Sequence, residues 1–440
     1  MIFLSFLPEL NIPGLKKFDI LSDLFQMEET LDMSNLLADA SSGGITDDTG
    51  HISDSLLPLP KNAPVYSGAP IEDFSTELNG LANLSRAIKL SEHKKRPVRI
   101  AFLGDSFTEG DILTCHLRDS LQNVFGGSGI GFVPVVTPVK HRINSISDYR
   151  NRKVRSIVRP SGSDASKFII NGQYFIPETN AWFSIRATGP FKNSGSWNYT
   201  DILFTSSDTV LMDIRINSEK NITHIIPPNE HVQLSSVKYT GSSSVEASLK
   251  NIGTTTIYGF YLNDHSGIYV DNFSLRSSSG PNLSLINYNS LAEISELMKY
   301  DLIILQYGLN VAEPDRKAYS LYKEKMADII EKLKHSMPET DIMIMSVSDR
   351  SFRGSSGELR TMPGVKSMVS EQRAIAEKTG ITFWNTFDAM GGEGSMIEFV
   401  KKKLANSDYT HINYSGGKIL GEKLATSLIE AIEQYYPGYD

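Results

Sequence analysis

The spacing of apolar positions changes twice along the chain, and the two changes divide it. From Ile71, the residues Phe74, Leu78, Leu81, Leu84, Ile88 and Leu90 recur at helical spacing, with Asp73 and Ser75 placed to cap, which predicts a helix. Val98 to Leu103 is a short apolar run ending on Gly104 and predicts a buried strand. Ile112, Leu113, Leu117, Leu121, Val124 and Phe125 then mark another helix. Between about Ser145 and Asp271 the pattern becomes short alternating stretches, among them Lys167 to Ile170, Ala181 to Ala187, Val210 to Ile216 and Thr255 to Leu262. Gly, Asn, Ser and Pro separate them, and they predict an inserted all-β sandwich. Helix and strand then alternate again over 291–298, 302–306, 319–333, 342–347, 367–378, 381–384 and 417–435. Such alternation predicts a parallel sheet with helices on both faces, a three-layer α/β/α domain. The expected organisation is an extended lead-in over 1–70, an α/β domain formed by 71–144 and 272–440, and a β module over 145–271 that splits it.

Composition narrows the function classes. At 440 residues and 40% hydrophobic content the chain can fill more than one core. A formal net charge of -8, with both signs spread along the sequence, lacks the basic footprint that neutralises phosphates, so nucleic acid is not an expected partner. The single cysteine, Cys115, cannot form an intramolecular disulfide, and no Cys/His group has zinc spacing. Neither metal nor cofactor is expected. The apolar run Met1 to Leu7 is too short to cross a bilayer and has no basic residues before it; surface packing and a remnant of an exported or anchored N-terminus both account for it.

Three short stretches carry candidate chemistry. Gly104-Asp105-Ser106 lies where a predicted strand meets a helix, the boundary at which parallel α/β sheets present reactive groups. On this turn alone, helix capping accounts for Ser106 as well as catalysis does. Asp408-Tyr409-Thr410-His411 precedes the last helix. A serine nucleophile needs a base, the base needs a carboxylate to fix its tautomer, and an Asp three residues before a His can fold back on it. Among the nine histidines the others lack such a setting: His93 stands beside lysines, His116 lies on a helix, and His224, His231 and His265 fall in the β module. Gly308-Leu309-Asn310 follows the strand 302–307, where a backbone amide and an Asn side chain can stabilise a developing oxyanion.

In this order and on these elements, the residues resemble the SGNH (GDSL-type) hydrolases, whose signature residues are a Ser, a Gly, an Asn and a His. GDS at Gly104 to Ser106, GLN at Gly308 to Asn310 and DYTH at Asp408 to His411 look like three of that family's blocks. The resemblance implies a nucleophile at Ser106, a base at His411 oriented by Asp408, and an oxyanion hole from the Ser106 amide, a glycine amide and Asn310. Gly280, after the stretch 268–275, matches the glycine best. Gly129 and Gly131 match less well and are expected to shape the loop after the first helix. A β module between the Ser and Gly blocks, together with GSGIGFV at Gly127 to Val133 and MGGEGSM at Met390 to Met396, is similar to the bacterial peptidoglycan O-acetylesterases, and that resemblance implies that the 145–271 insert is carbohydrate-binding-like. The likeness runs from about Arg96 to Ala431; Phe107 and Thr108 depart from that group's usual residues.

The reading that follows is a serine esterase removing acyl groups, O-acetyl first among them, from a carbohydrate such as peptidoglycan, and working in the periplasm or cell envelope. An O-acyltransferase and a non-catalytic glycan-binding protein on the same scaffold are the alternatives. Within the insert, Tyr174, Phe175, Trp182, Trp197 and Tyr199 offer faces on which sugar rings stack, with a place in the sandwich core as the competing reading; Trp182, in its alternating stretch, is expected in the core, and Trp197, set among Gly195, Ser196 and Asn198, at the surface. Ser348-Asp349-Arg350 ends another strand, and a structural contact between Asp349 and Arg350 is expected there.

Overall fold

The computed structural model describes residues 69–435 apart from 91, 136–140, 143–144, 251–252 and 355; of the lead-in expected over 1–70, only 69 and 70 fall among them. The chain begins with β1 (Ile71–Asp73), α1 (Ala82–Lys89), β2 (Pro97–Gly104) and α2 (Thr114–Phe125). A run of strands follows: β3 (Gly131–Val133), β4 (His141–Arg142), β5 (Ser145–Ser156), β6 (Gln173–Ala187), β7 (Trp197–Ser206), β8 (Val210–Ile216), β9 (Lys220–Ile226), β10 (Asn229–Ser242), β11 (Ser244–Leu249), β12 (Thr256–Asn263) and β13 (Gly267–Asn272). Helices return with α3 (Tyr288–Met298), β14 (Tyr300–Gln306), α4 (Ser320–Ser336), β15 (Asp341–Met345), β16 (Ser351–Arg353) and β17 (Leu359–Thr361). The last elements are α5 (Pro363–Thr379), β18 (Thr382–Trp384), α6 (Thr386–Met390), α7 (Ser395–Lys401) and α8 (Tyr414–Tyr435).

One sheet has the order β1-β18-β15-β14-β2-β13, parallel throughout except for β1, which runs antiparallel to β18. β14 and β15 are buried along their whole length and β2 beyond its first residue, which is why their sequences read as unbroken apolar runs. α1, α2 and α8 pack together on this sheet, and α4 packs against α3 and α5. Residues 71–73, expected to open a helix, instead form an edge strand. Asp73 caps a turn by accepting the Ser75 and Gly80 amides at 2.8 and 2.9 Å, and the helix starts only at Ala82. α2 is fixed to the sheet by Arg118, fully buried, whose guanidinium meets Asp111 at 2.9 Å and donates to the Val270 carbonyl of β13.

The β module differs from the expected sandwich of two sheets. Its strands form one continuous antiparallel sheet, with β10-β7-β12-β6-β11-β8-β9 in order, β3 paired to β12 and β5 to β6. The long strands β5 and β6 account for this. One part of β6 pairs with β12 and another with β11, so the sheet curves round a separate core that includes Trp197, Phe204, Ile214 and Phe260. Residues 267–272, expected largely within the module, belong to the parallel sheet as β13, so the module's strands run from Gly131 to Asn263.

Candidate active site

The functional groups converge because β2 and β14 lie side by side in parallel and β13 flanks β2, so that their C-terminal loops open together. β2 ends on Gly104, where a Cβ would overlap the Thr108 and Ser274 hydroxyls; glycine allows the chain to turn tightly beneath Ser106. Ser106 Oγ lies 2.9 Å from His411 Nε2, and His411 Nδ1 lies 2.7 Å from Asp408 Oδ2. The second carboxylate oxygen of Asp408 accepts the Thr410 and His411 amides at 2.9 and 3.0 Å, so the aspartate is held by the turn it creates. Burial pushes the Asp408 carboxyl up, but the His411 ring and these amides outweigh it and keep it below the usual carboxylate range. Tyr409 closes the turn at φ 54°, its carbonyl accepting the Ser351 amide at 3.0 Å, and Asn413 caps α8 behind it.

Asn310 stands just beyond β14, one turn after Gly308. At φ 118°, with Val347 and Gln372 pressing where a Cβ would sit, Gly308 admits no larger residue. The Asn310 side chain donates one N–H to the Ser278 carbonyl at 2.8 Å, which fixes its direction and leaves its second N–H available. Ser106, Asp408 and His411 are thus brought together, and Asn310 is tied to the loop that β13 leads into.

Gly280 does not fill the place expected of it. Its amide donates to Asn282 Oδ1 at 3.1 Å, and the residue is buried against Tyr307 and Met326, where it caps the short helical turn at 281–285. The loop offers another amide. Ser277 is exposed, sits at φ 64°, and its N–H, like that of Ser106, has no protein partner among the described residues. Its loop is laced to the nucleophile turn: the Leu275 amide donates to the Gly104 carbonyl at 2.9 Å, Ser274 Oγ meets Thr108 Oγ1 at 2.8 Å, and Arg276 pairs with the buried Glu109 at 2.8 Å. A search for a glycine passes over Ser277, because a free amide leaves no mark in the sequence. Gly129, in the loop after α2, and Gly131, the first residue of β3, lie at positive φ.

Two charged groups border the array. Asp105 is fully buried; one carboxyl oxygen accepts the Phe107 amide at 2.9 Å, the other has no partner, and burial pushes its pKa up to about 7. Asp349 accepts the Met396 amide at 2.8 Å instead of meeting the Arg350 side chain. The largely buried Arg350 guanidinium turns to the Leu309 carbonyl at 3.3 Å, beside Asn310, and its charge acts on both Asp408 and Asp105. No contact forms between the Asp349 and Arg350 side chains, because the Asp349 carboxylate serves the start of α7.

No family model matches the sequence, and no curated protein sequence matches it. Among solved structures, a peptidoglycan O-acetylesterase superposes with a TM-score of 0.66 at 18% identity, covering 83% of this chain and 99% of its own. The chain has an SGNH-type esterase fold. Two further structures match over a smaller share: a family two carbohydrate esterase from Cellvibrio japonicus has a TM-score of 0.29 at 9% identity over 66% of this chain and 100% of its own. A salicylyl-acyltransferase from a tetracycline biosynthetic pathway has 0.30 at 11% over 65% and 97%. The SGNH-type fold here comprises the parallel sheet with its helices, and the antiparallel module is spliced between α2 and β13.

Proposed function

We propose that this protein is a serine esterase acting on an acylated carbohydrate, with O-acetyl groups of a cell-wall glycan such as peptidoglycan as its substrate. The observation that carries the proposal is the unbroken line from Ser106 Oγ through His411 to Asp408, with contacts of 2.9 and 2.7 Å. In this reading His411 Nε2 accepts the Ser106 proton as Oγ attacks the ester carbonyl, and Asp408 holds the ring and stabilises its cation. The oxyanion rests on the Ser106 and Ser277 amides and the second N–H of Asn310, each donor contributing about 3 kcal/mol to the transition state. His411 returns its proton to the departing sugar hydroxyl. Water activated by the same ring then releases the acyl group from Ser106. The same reading makes the two helix groups the outer layers of an α/β/α sandwich, and the substrate's location would put the protein in the cell envelope.

The test compares wild type, Ser106→Ala and His411→Ala on p-nitrophenyl acetate and on O-acetylated peptidoglycan. The proposal expects acetate release from both substrates by wild type, with a loss of at least about 10³-fold in each variant. Turnover of p-nitrophenyl acetate without release from peptidoglycan would remove the glycan assignment, and undiminished turnover by Ser106→Ala would remove the serine mechanism.

A further inference from the structure

Three consecutive residues beyond β15 reach three separate parts of the site. Asp349 accepts the Met396 amide at 2.8 Å and so seats α7, the helix that runs into the segment carrying Asp408 and His411. The Ser351 amide donates to the Tyr409 carbonyl, within the Asp408–His411 turn, at 3.0 Å. Between them Arg350 sends its guanidinium the other way, to the Leu309 carbonyl at 3.3 Å, one residue before Asn310. No acidic side chain pairs with that guanidinium among the described residues. The segment itself is anchored: β15 is buried along its whole length, and the Met362 amide donates to the Arg350 carbonyl at 2.8 Å, where the antiparallel pair β16 and β17 closes. The turn that carries Asn310 has fewer ties. The Val311 and Ala312 amides close it on the Gly308 carbonyl at 3.0 and 2.9 Å, and the Leu309 carbonyl has no partner besides Arg350 among the described residues. Asn310 is exposed, and while the Ser278 carbonyl holds the tip of its side chain at 2.8 Å, the base of that side chain depends on the peptide before it. A peptide unit is planar, so the Leu309 oxygen and the Asn310 Cα move together.

We propose that Arg350 is a positioning residue for the reaction. By holding the Leu309 carbonyl it fixes the peptide plane from which Asn310 projects, and with Ser351 it ties the oxyanion donor and the Asp408–His411 turn to a single strut. The donor is charged, which makes its bond to the carbonyl stronger than a neutral one. In this role Arg350 touches neither the ester nor the nucleophile; it acts through Asn310. The inference rests on the esterase reading above, because an oxyanion arises only when Ser106 attacks an ester carbonyl. Displacing a group that meets the transition state by about 1 Å can cost about 10²-fold in rate, so a strut of this kind bears on kcat and not on KM.

The test measures p-nitrophenyl acetate turnover by the full-length wild type, Arg350→Met, Arg350→Lys, Asn310→Ala and the double variant Arg350→Met/Asn310→Ala, with melting temperatures taken alongside. Arg350→Met, which keeps a long side chain but no donor, should lose about 10- to 100-fold in kcat with KM unchanged within about twofold. Arg350→Lys, which keeps a charged donor, should recover part of that loss. In the Asn310→Ala background the Arg350→Met change should cost about twofold or less, because no amide is left to align. A merely structural role would lower turnover equally in both backgrounds. Unchanged kcat in Arg350→Met, a rise in KM alone, Arg350→Lys no better than Arg350→Met, or the same loss with and without Asn310 would overturn the proposal. If Arg350→Met melts below the assay temperature, Arg350→Gln, shorter and uncharged, takes its place in the same cycle. A wild type without p-nitrophenyl acetate turnover would instead count against the esterase reading.

Discussion

Asp105 sets the most direct single-residue expectation. Its carboxyl is buried with one of two oxygens unpartnered, and its pKa is raised to about 7 from an unfolded value near 3.9. Between those values the folded state binds more protons than the unfolded state, so stability falls as pH rises through that window, by up to about 1.4 kcal/mol per pH unit, and levels off above pH 7. Asp105→Asn should therefore leave the melting temperature nearly unchanged at pH 4 and raise it most at pH 8; an equal shift at both would refute the buried-charge account. Ser277 offers a second test. An L-residue in the left-handed region costs about 1 kcal/mol, so Ser277→Gly should keep esterase activity and gain about that much in chemical denaturation. Ser277→Pro, which removes the N–H and cannot adopt φ 64°, should lose turnover. Sequence made the Asp408–His411 contact legible because the two residues lie within one turn of each other. It did not expose the amide proposed for the oxyanion, since any residue carries one and only the backbone angle decides where it points.

Among the elements, α2 depends on one buried ion pair. Arg118 is fully enclosed and divides its donors between Asp111 and the Val270 carbonyl, so Asp111→Ala would strand a charge inside the domain. The expected cost is about 3–5 kcal/mol, read as a lower denaturation midpoint, whereas replacing both partners by apolar residues should cost far less. Periodicity identified the long elements well: β2, α2, β14, α4, β15, α5 and α8 all fall on predicted stretches. Short ones escaped it. β1 has three residues, and the helical spacing from Ile71 onward came from residues that pack at the sheet edge and in the turn held by Asp73. α6 and α7, of five and seven residues, are too short for a period to be seen. The two module tryptophans exchanged places for a related reason. Alternation says that the faces of β6 differ but not which face is covered: Trp182, between the buried Ala181 and Phe183, points out and is only half-buried, while Trp197, despite polar neighbours, is enclosed and donates its indole N–H to Thr200 at 2.8 Å.

For the whole molecule, the question is how a β module of more than a hundred residues can interrupt a catalytic domain without loosening it. The join is a buried hydroxyl relay: Tyr261 on β12 meets Tyr300 on β14 at 2.7 Å, Tyr300 donates to Asp271 on β13 at 3.2 Å, and Asp271 accepts the Phe132 amide of β3 at 2.9 Å. Asp271 thus bonds the first strand of the module and the parallel sheet at once. Asp271→Ala leaves that amide without its acceptor, at about 1–3 kcal/mol, and leaves the Tyr300 hydroxyl only its Tyr261 partner. Calorimetry should find one transition in the wild type and a lower, broadened or divided one in the variant; an unaltered transition would mean that the two cores melt independently of this relay. The splicing itself was visible in the switch from helical to alternating spacing. The single curved sheet was not, because pairing across β5 and β6 depends on register between distant segments. The central claim, that Ser106 is a nucleophile activated by His411, is tested most directly by treating the protein with a fluorophosphonate and measuring intact and peptide masses. One phosphonyl adduct on the peptide containing Ser106, absent in Ser106→Ala and strongly slowed in His411→Ala, is the predicted result; ester hydrolysis by a protein whose Ser106 stays unlabelled would contradict it.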